Sequence, residues 1–284
     1  MILITGASGL VGSEIFNSLC ADYDVIGTSY SSPNEKLLNV DLLNLDEVKL
    51  LCNEYKFTRI IHCATIIPSK AGNLDEVTIY DRNLAMVLNL LKCISPVVKF
   101  INISTTSLYD LKGKNNLNEF SKKDCETLYQ LSKKNLEELL ENFYKTNNEN
   151  YLNFRISSPY SVNKKSDTIL YTFINKAKAN IDLTLWGSGN RVQSFTNVET
   201  FSKDLIVMLK KNCCGTYNYV TTNKISMKDF VYMIKSFSPQ VKIKFIEKKD
   251  PEEECQCAID TTKLLNIIKV NDNLKNDIKY ILGN

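Results

Sequence analysis

The sequence predicts an α/β protein with a doubly wound parallel sheet and a smaller C-terminal α/β lobe. Short apolar runs alternate with longer helical segments up to about residue 157. Three glycines, at positions 6, 9 and 12, follow the first such run and lead into the first helix, and after Arg155 the alternation becomes irregular. A regular strand and helix series followed by short, irregular elements is typical of a parallel-sheet domain that carries a second lobe.

The strands and helices of the first part follow from their periodicity. Apolar runs predict strands at ILIT (2–5), DVIGTS (24–29), LLNV (37–40), RIIHCA (59–64), KFINIST (99–105) and YLNFRIS (151–157). Helical spacing predicts helices over 10–20, 44–55, 75–94 and 125–146. Right-handed crossovers between these strands imply a parallel sheet that is covered on both faces.

The second part has shorter elements. Helices are expected near 166–180, 200–211, 226–236, 261–268 and 272–282, with strands at LTLW, VQSFTNV, TYNYV and VKIKFI. We assign 1–157, with about 191–212, to the first domain, and about 158–190 and 213–284 to the smaller lobe.

Composition narrows the partners. The 284 residues are 44% hydrophobic, and 35 basic against 32 acidic residues give a net charge of only +3. This balance argues against a nucleic-acid or membrane surface and favours small-molecule partners. Met1 leads directly into an apolar strand, so the nine cysteines are expected in a reducing cytoplasm. Their spacing, such as Cys255 and Cys257, suits no zinc site, and we expect no metal.

The glycine loop GASGLVG predicts a dinucleotide site on a Rossmann-type sheet. A glycine at the first position permits a tight turn, and one at the last lets the helix pack closely on the sheet. The helix N-terminus then supplies N–H donors to a pyrophosphate. The predicted cofactor contacts in this loop are Gly6, Ser8, Gly9, Leu10, Val11 and Gly12.

The end of the second strand bears on the choice of cofactor. NAD enzymes carry an acid there, whereas this chain has Ser29 followed by Tyr30. The absence of a carboxylate favours NADP, with NAD as the alternative, although no Arg stands nearby to bind a 2′-phosphate. Asp41, followed by Leu42, is expected either at the adenine edge or as the N-cap of the next helix.

The motifs that follow resemble the extended short-chain dehydrogenase/reductase family of nucleotide-sugar epimerases, dehydratases and ketoreductases. The resemblance covers nearly the whole chain. Its motifs run in order: TGASGLVG (5–12), VDL (40–42), IIHCA (60–64), Asn83, INISTTSLY (101–109), YQLSK (129–133), FRISSPYS (154–161), LWGSGNRVQSFTNV (185–198) and AIDTTKLL (258–265).

The resemblance implies a catalytic set of Thr105, Tyr129 and Lys133. Tyr129 would exchange a proton with a substrate oxygen, and a nearby ammonium is expected to favour its phenolate. Lys133 would also hold the nicotinamide ribose, and Thr105 would hydrogen-bond the oxygen being converted. The nicotinamide carries the hydride.

Further positions come from the same resemblance. Asn83 would support the cofactor-side helix and a water chain, and the adenosine would pass Cys63, Ala64 and Thr65 after the fourth strand. His62, the single histidine of the chain, is expected to be structural.

Departures from the family pattern restrict the reaction. The 4,6-dehydratases carry an Asp-Glu pair where this chain has Thr106 and Ser107. The 3,5-epimerases carry a Cys in place of Ser107 and a His in the following loop, where this chain has Asn163. What remains is ketone reduction or alcohol oxidation, or 4-epimerisation with retained NAD. We favour the ketoreductase.

Substrate contacts are expected at Thr106, Ser107, Ser158, Gln193, Lys248 and Lys249. Ser158 and Gln193 replace the Asn and Arg that are common in UDP-sugar enzymes, and the two lysines could bind a diphosphate or be solvated charges. Arg155, Arg191 and Trp186 could also contribute to nucleotide binding or simply pack.

The leading expectation is therefore an NADPH-dependent reductase of a 4-keto nucleotide sugar. The alternatives are a 4-epimerase with tightly bound NAD and a non-catalytic dinucleotide-binding regulatory protein or sensor. Relatives of this kind pair through two helices, here 75–94 and 125–146, so a homodimer is expected.

Overall fold

The fold is taken from a computed structural model of the chain. It describes residues 1–30, 35–68, 72, 74–113, 116–221, 224–271 and 273–283. The predicted α/β class is confirmed.

A seven-stranded parallel sheet forms the centre of the molecule, in the order β11-β6-β5-β4-β1-β2-β3. Its strands are β1 (Ile2–Thr5), β2 (Val25–Ser29), β3 (Leu38–Asn39), β4 (Arg59–His62), β5 (Lys99–Thr105), β6 (Tyr151–Ile156) and β11 (Gly215–Tyr219). Because all the strands run parallel, their carboxyl ends meet at one edge, where the predicted cofactor and catalytic positions gather.

Helices cover both faces of this sheet. They are α1 (Leu10–Leu19) and α6 (Val198–Lys210) on one face, and α2 (Leu45–Glu54), α3 (Glu76–Cys93) and α4 (Leu128–Phe143) on the other. The α1 face packs Ile4, Ile61 and Phe154. The α3–α4 face packs Leu3, Ile60 and Phe100, so alternate residues of each strand enter opposite cores.

The smaller lobe has a separate core between three helices and short strand pairs. The helices are α5 (Ile169–Lys178), α7 (Met227–Phe237) and α9 (Leu274–Leu282), and the four-residue α8 (Thr262–Leu265) packs on β11. The strand pairs are β7 (Pro159–Tyr160) with β10 (Thr196–Asn197), β8 (Leu183–Trp186) with β13 (Ile243–Ile246), and β9 (Val192–Gln193) with β12 (Ile225–Ser226).

One segment lies elsewhere than expected. The strand TYNYV was assigned to the smaller lobe, but β11 pairs with β6 as the edge strand of the central sheet. Tyr217 and Tyr219 enter the α1 core, and this burial gives the strand its place in the large domain. Among the described residues, no helix is long and apolar enough to cross a membrane.

Candidate active site

The glycine loop joins β1 to α1 in a conformation that only glycine can hold. Gly6 has φ +66°, and a Cβ there would lie 2.7 Å from the Cα of Ala64. A Cβ on Gly12 would lie 2.3 Å from the carbonyl oxygen of Gly6. The loop therefore lies against Ala64, two residues after β4, and leads directly into the first turn of α1. This is the cradle that a pyrophosphate needs.

Two hydroxyls meet where the cofactor's ribose is expected. Ser29, at the end of β2, donates a 2.7 Å hydrogen bond from Oγ to the Oγ of Ser8 in the glycine loop. Tyr30 follows and is 68% exposed. The pair presents no negative charge at this position.

Asp41 does not cap the helix after it. Its Oδ1 accepts a hydrogen bond from the backbone N–H of Leu43 at 2.9 Å, and the N-cap of α2 is Asn44. Of the two alternatives for Asp41, the N-cap is therefore wrong. Leu42 is buried in the core beneath α2 and α3.

Asn83 fixes the loop that follows β4. From α3, its Oδ1 accepts from the N–H of Ile66 at 2.7 Å, and its Nδ2 donates to the Ile66 carbonyl at 3.0 Å. The hydroxyl of Thr65 also reaches Asn83, at 3.4 Å. Residues 63–65 are thereby held against the glycine loop. Burial raises the pKa of the Cys63 thiol to about 12, so it stays neutral.

Helix α4 begins just before Tyr129. Thr127 and Gln130 form a capping box, which places Tyr129 in the first turn. Burial raises the pKa of Tyr129 to about 12, whereas the sequence led us to expect a lowered value. The phenol therefore carries its proton at neutral pH, and burial makes it a weaker acid than a free tyrosine.

Lys133 lies one turn further along α4 and is buried. Its Nζ donates to the main-chain carbonyl of Ile103 on β5 at 3.2 Å. Burial lowers its pKa to about 8, while Cys63 and Glu137 act in the opposite direction. The buried His62 receives a hydrogen bond from, or donates one to, Thr5 through Nδ1 at 2.8 Å. Burial and then Lys133 lower its pKa to about 3.

Thr105 ends β5 at the same edge of the sheet. Its Oγ1 accepts from the N–H of Ser107 at 3.1 Å and lies 3.0 Å from the Ser107 Oγ. These contacts fix the hydroxyl of Thr105, which lines a cavity of about 230 Å³. The predicted positions that line this cavity are Thr105, Thr106, Ser107, Ser158 and Gln193.

Other predicted residues lie outside the cavity. Tyr129 and Lys133 do not line it, although Gln130 of the same helical turn does. Lys248 and Lys249 are exposed, and the Nζ of Lys248 lies 3.5 Å from the centroid of the Trp186 ring. A second cavity, of about 380 Å³, lies between α5 and α9 and contains none of the predicted site residues.

The two arginines considered for nucleotide binding have other partners. Arg155 is buried in an ion pair with Glu137, with Nη2 to Oε2 at 2.6 Å. Arg191 pairs with Asp250 at 3.4 Å and Glu252 at 2.9 Å. Arg155 is thus part of the interior rather than a ligand contact.

Several cavity residues were not found from the sequence. Cys255 and Cys257, for which the sequence indicates only that their spacing suits no zinc site, line the cavity, and the other residues missed include Glu126, Gln130, Ser157 and Ser194. The alternating spacing of the two cysteines could have placed both on one side of an extended segment. In the described ranges, no group of three or more His, Cys, Asp or Glu side chains could hold a metal.

Solved structures of similar fold include proteins named as nucleotide-sugar enzymes. The UDP-glucose 4-epimerase of Thermotoga maritima, solved with UDP-glucose, superposes with a TM-score of 0.85 at 17% identity, over 99% of this chain and 97% of that one. A dTDP-4-dehydrorhamnose reductase from Clostridium acetobutylicum gives 0.78 at 22% identity, over 99% and 98%. These likenesses show the fold.

Curated relatives are similar at the level of sequence. A trifunctional UDP-glucose 4,6-dehydratase/UDP-4-keto-6-deoxy-D-glucose 3,5-epimerase/UDP-4-keto-L-rhamnose-reductase from Arabidopsis thaliana is 26% identical over 93% of this chain. The chain spans only 43% of the length of that relative. The human dTDP-D-glucose 4,6-dehydratase is 23% identical over 98% of this chain and 81% of its own length.

A family model decides the membership. The model of the NAD-dependent epimerase/dehydratase family matches residues 2–218, which include the glycine loop, Thr105, Tyr129 and Lys133. The match covers most of the chain, and the motifs occur on the strand ends and helices described above. The chain therefore belongs to the NAD-dependent epimerase/dehydratase family.

Proposed function

We propose that this protein reduces a keto group, at the 4 position, of a nucleotide-activated sugar with NADPH. The observation that carries the proposal is the placement of Tyr129 in the first turn of α4, one turn before the buried Lys133, in a chain where Thr106 and Ser107 supply only hydroxyls. Reduction needs one proton donor beside the hydride source, whereas dehydration needs a further acid–base pair.

The residues around the glycine loop fit a dinucleotide. Gly6 and Gly12 leave space that a Cβ would fill, and the N-terminus of α1 offers N–H groups to a pyrophosphate. The Ser8–Ser29 hydroxyl pair can donate hydrogen bonds to a 2′-phosphate, whereas a carboxylate there would repel it. This supports NADP over NAD.

The proposed mechanism assigns one task to each residue. NADPH, when bound, supplies the hydride. Thr105, whose hydroxyl is oriented by Ser107, hydrogen-bonds the carbonyl oxygen of the substrate and polarises it. Tyr129 donates its phenolic proton to that oxygen as the alcohol forms. The ammonium of Lys133 stabilises the phenolate left on Tyr129.

The substrate class rests on the cavity and on the relatives. The cavity wall is rich in hydroxyl and amide groups, from Thr105, Ser158 and Gln193, that can hydrogen-bond sugar hydroxyls. The relatives' names include a UDP-4-keto-L-rhamnose reductase and a dTDP-4-dehydrorhamnose reductase. Both names describe reduction of a 4-keto sugar nucleotide.

The test is a screen of 4-keto nucleoside-diphosphate sugars with NADPH, followed by the loss of cofactor absorbance. Tyr129→Phe should lower turnover by at least ~100-fold, the scale for losing a positioned proton donor. Tyr232→Phe removes a hydroxyl from a half-exposed tyrosine on α7 and should leave turnover unchanged. Equal loss in both variants, or none in Tyr129→Phe, would refute the role of Tyr129.

The 4-epimerase alternative predicts a different bound nucleotide. It requires NAD to be retained through oxidation and re-reduction of the sugar. Mass spectrometry of the nucleotide released from the purified protein separates the two. Tightly held NAD, together with interconversion of two sugar nucleotides and no consumption of NADPH, would replace the reductase by the epimerase.

A further inference from the structure

Glu137 is a fully buried carboxylate on the catalytic helix. It lies on α4 one turn after Lys133 and two turns after Tyr129, so the three side chains share one face. A buried charge is retained in a protein only when it is paired and hydrogen-bonded. The partners of Glu137 therefore show what it holds together.

The partners of Glu137 come from three separate segments. Its Oε1 accepts from the Oγ of Ser104 on β5 at 2.6 Å. Arg155 on β6 donates to both carboxylate oxygens, from Nε at 3.0 and 3.2 Å and from Nη2 at 2.6 Å. The Nζ of Lys123, in the segment before α4, lies 2.8 Å from Oε2.

Each of these partners adjoins a wall of the cavity. Ser104 precedes Thr105, and Lys123 precedes Asp124, which lines the cavity. Arg155 also donates from Nη1 to the hydroxyl of Tyr109, another cavity residue. One carboxylate thus connects the helix that carries the proton donor with the strand that carries Thr105 and with two further walls.

We propose that Glu137 is a positioning residue of the active site, which aligns α4 with the end of β5 and whose negative charge favours the ammonium form of Lys133. The proposal deepens the proposed function and rests on it for the roles of Tyr129 and Lys133. Two consequences separate it from a purely structural ion pair. The bonds of Glu137 join α4, which carries Tyr129 and Lys133, to the strand that carries Thr105, and its charge stands one turn from Lys133 on the same face of α4.

The charges around both groups set the direction of the effect. Those acting on Lys133 or responding to it are His62, Cys63 and Glu137. Those acting on Glu137 or responding to it are Tyr109, Lys123, Cys125, Glu141, Tyr151 and Arg155. Burial alone would raise the pKa of Glu137, but its bonds to Arg155 and Lys123 outweigh burial and lower it. Glu137 is therefore negative at neutral pH, and its removal should lower the pKa of Lys133.

The experiment measures the protonation of Lys133 without relying on activity. The ¹³Cε signals of ¹³C-labelled lysine are followed against pH in the full chain, and the Lys133 signal is assigned by its loss in Lys133→Met. The wild-type signal should titrate near pH 8. In Glu137→Gln its midpoint should fall by about one pH unit, the lower end of the effect of a neighbouring charge.

A second variant tests the same inference if Glu137→Gln does not fold. Glu137→Met/Arg155→Met replaces both buried charges by apolar side chains, and such replacements of a buried pair often preserve the fold. It should fold and still show the lowered Lys133 midpoint. Glu141→Gln, one turn further along α4, is the control that should leave the midpoint unchanged.

Activity then separates the two proposals. If a 4-keto sugar nucleotide is reduced, the high-pH limb of the kcat/KM profile should shift to lower pH in both Glu137 variants. If no such substrate is reduced but the Lys133 midpoint falls, the proposed reaction fails and the role of Glu137 stands. If the midpoint and the profile both stay at their wild-type positions in folded variants, Glu137 is only structural and the inference is overturned.

Discussion

The Nζ of Lys133 donates a hydrogen bond to the carbonyl oxygen of Ile103, 3.2 Å away across the buried boundary between α4 and β5. Ile103 stands two residues before Thr105, so this bond fixes the lysine relative to the strand end that reaches the cavity. A buried ammonium with few partners loses much of its hydration, and burial accordingly lowers its pKa to about 8. The charge of Lys133 thus changes just above neutral pH.

This pKa predicts how stability depends on pH. Lys133 titrates near pH 8 in the folded state and near 10.5 in the unfolded state, so between these values the unfolded chain binds more protons. The free energy of unfolding therefore receives a contribution from Lys133 that rises with pH, by about 1.4 kcal/mol per pH unit at most. Between pH 8 and pH 9.5, urea unfolding should show wild type gaining about 1 to 2 kcal/mol relative to Lys133→Met.

The comparison with a variant is needed because Cys63 and Tyr129 have raised pKa values and act in the opposite direction at higher pH. Lys145→Met removes an exposed lysine and should keep the wild-type slope. Parallel curves for wild type and Lys133→Met would mean that Lys133 does not titrate in this range.

The Ser8–Ser29 pair predicts a switch of cofactor. Ser29→Asp places a carboxylate at the end of β2, where it can accept from ribose hydroxyls and repels a 2′-phosphate. The ratio of the Kd values for NADPH and NADH, measured by quenching of nicotinamide fluorescence, should rise at least ~10-fold, equivalent to about 1.4 kcal/mol. Ser29→Ala removes the 2.7 Å bond without adding charge and should change the ratio far less. An unaltered ratio in Ser29→Asp would place the 2′ position elsewhere.

The contact of Gly6 with Ala64 predicts a large loss of stability in Gly6→Ala. Alanine would be strained at φ +66°, and its Cβ would lie 2.7 Å from backbone atoms that cannot move aside. Gly215→Ala is the matched control, since its φ is +81° and only the Nζ of Lys263 lies nearby, at 3.6 Å. Urea unfolding should show that Gly215→Ala loses about 1 to 2 kcal/mol of the free energy of unfolding, from backbone strain alone. Gly6→Ala should lose more than this, because its Cβ also meets Ala64. Equal losses in the two variants would mean that the contact with Ala64 yields.

Much of the fold was predictable because its signals are local. The signals for α4 lie within a few residues of one another in the sequence: they are the capping residues Thr127 and Gln130 and the apolar spacing that follows them. The predicted helix around Tyr129 is present. The place of β11 was not predictable in the same way. The sheet that β11 joins is the one whose core can bury Tyr217 and Tyr219, and that core exists only in the assembled fold.

The site shows the same division. The glycine loop and the order of Thr105, Tyr129 and Lys133 could be found from motifs. The raised pKa of Tyr129 could not, because burial depends on what covers the phenol in three dimensions. Nor could the Glu137–Arg155 pair, whose members are 18 residues apart on a helix and a strand. The sequence signal that was available for Glu137 was its position four residues after Lys133, which places both side chains on the same face of α4.

The outer face of α3 predicts self-association. Val77 and Leu88 are 65% and 41% exposed and lie 11 residues apart, about three turns, on one side of the helix. We propose that α3, with α4 beside it, pairs with the same helices of a second copy around a two-fold axis, which would bury these apolar side chains.

Sedimentation velocity should show a weight-average sedimentation coefficient that rises with protein concentration. Leu88→Glu would place two like charges near the axis and should keep the protein monomeric. Leu50→Glu, on the 69% exposed position of α2, is the control that should still dimerise. If wild type and Leu88→Glu sediment alike at every concentration, pairing through α3 is ruled out.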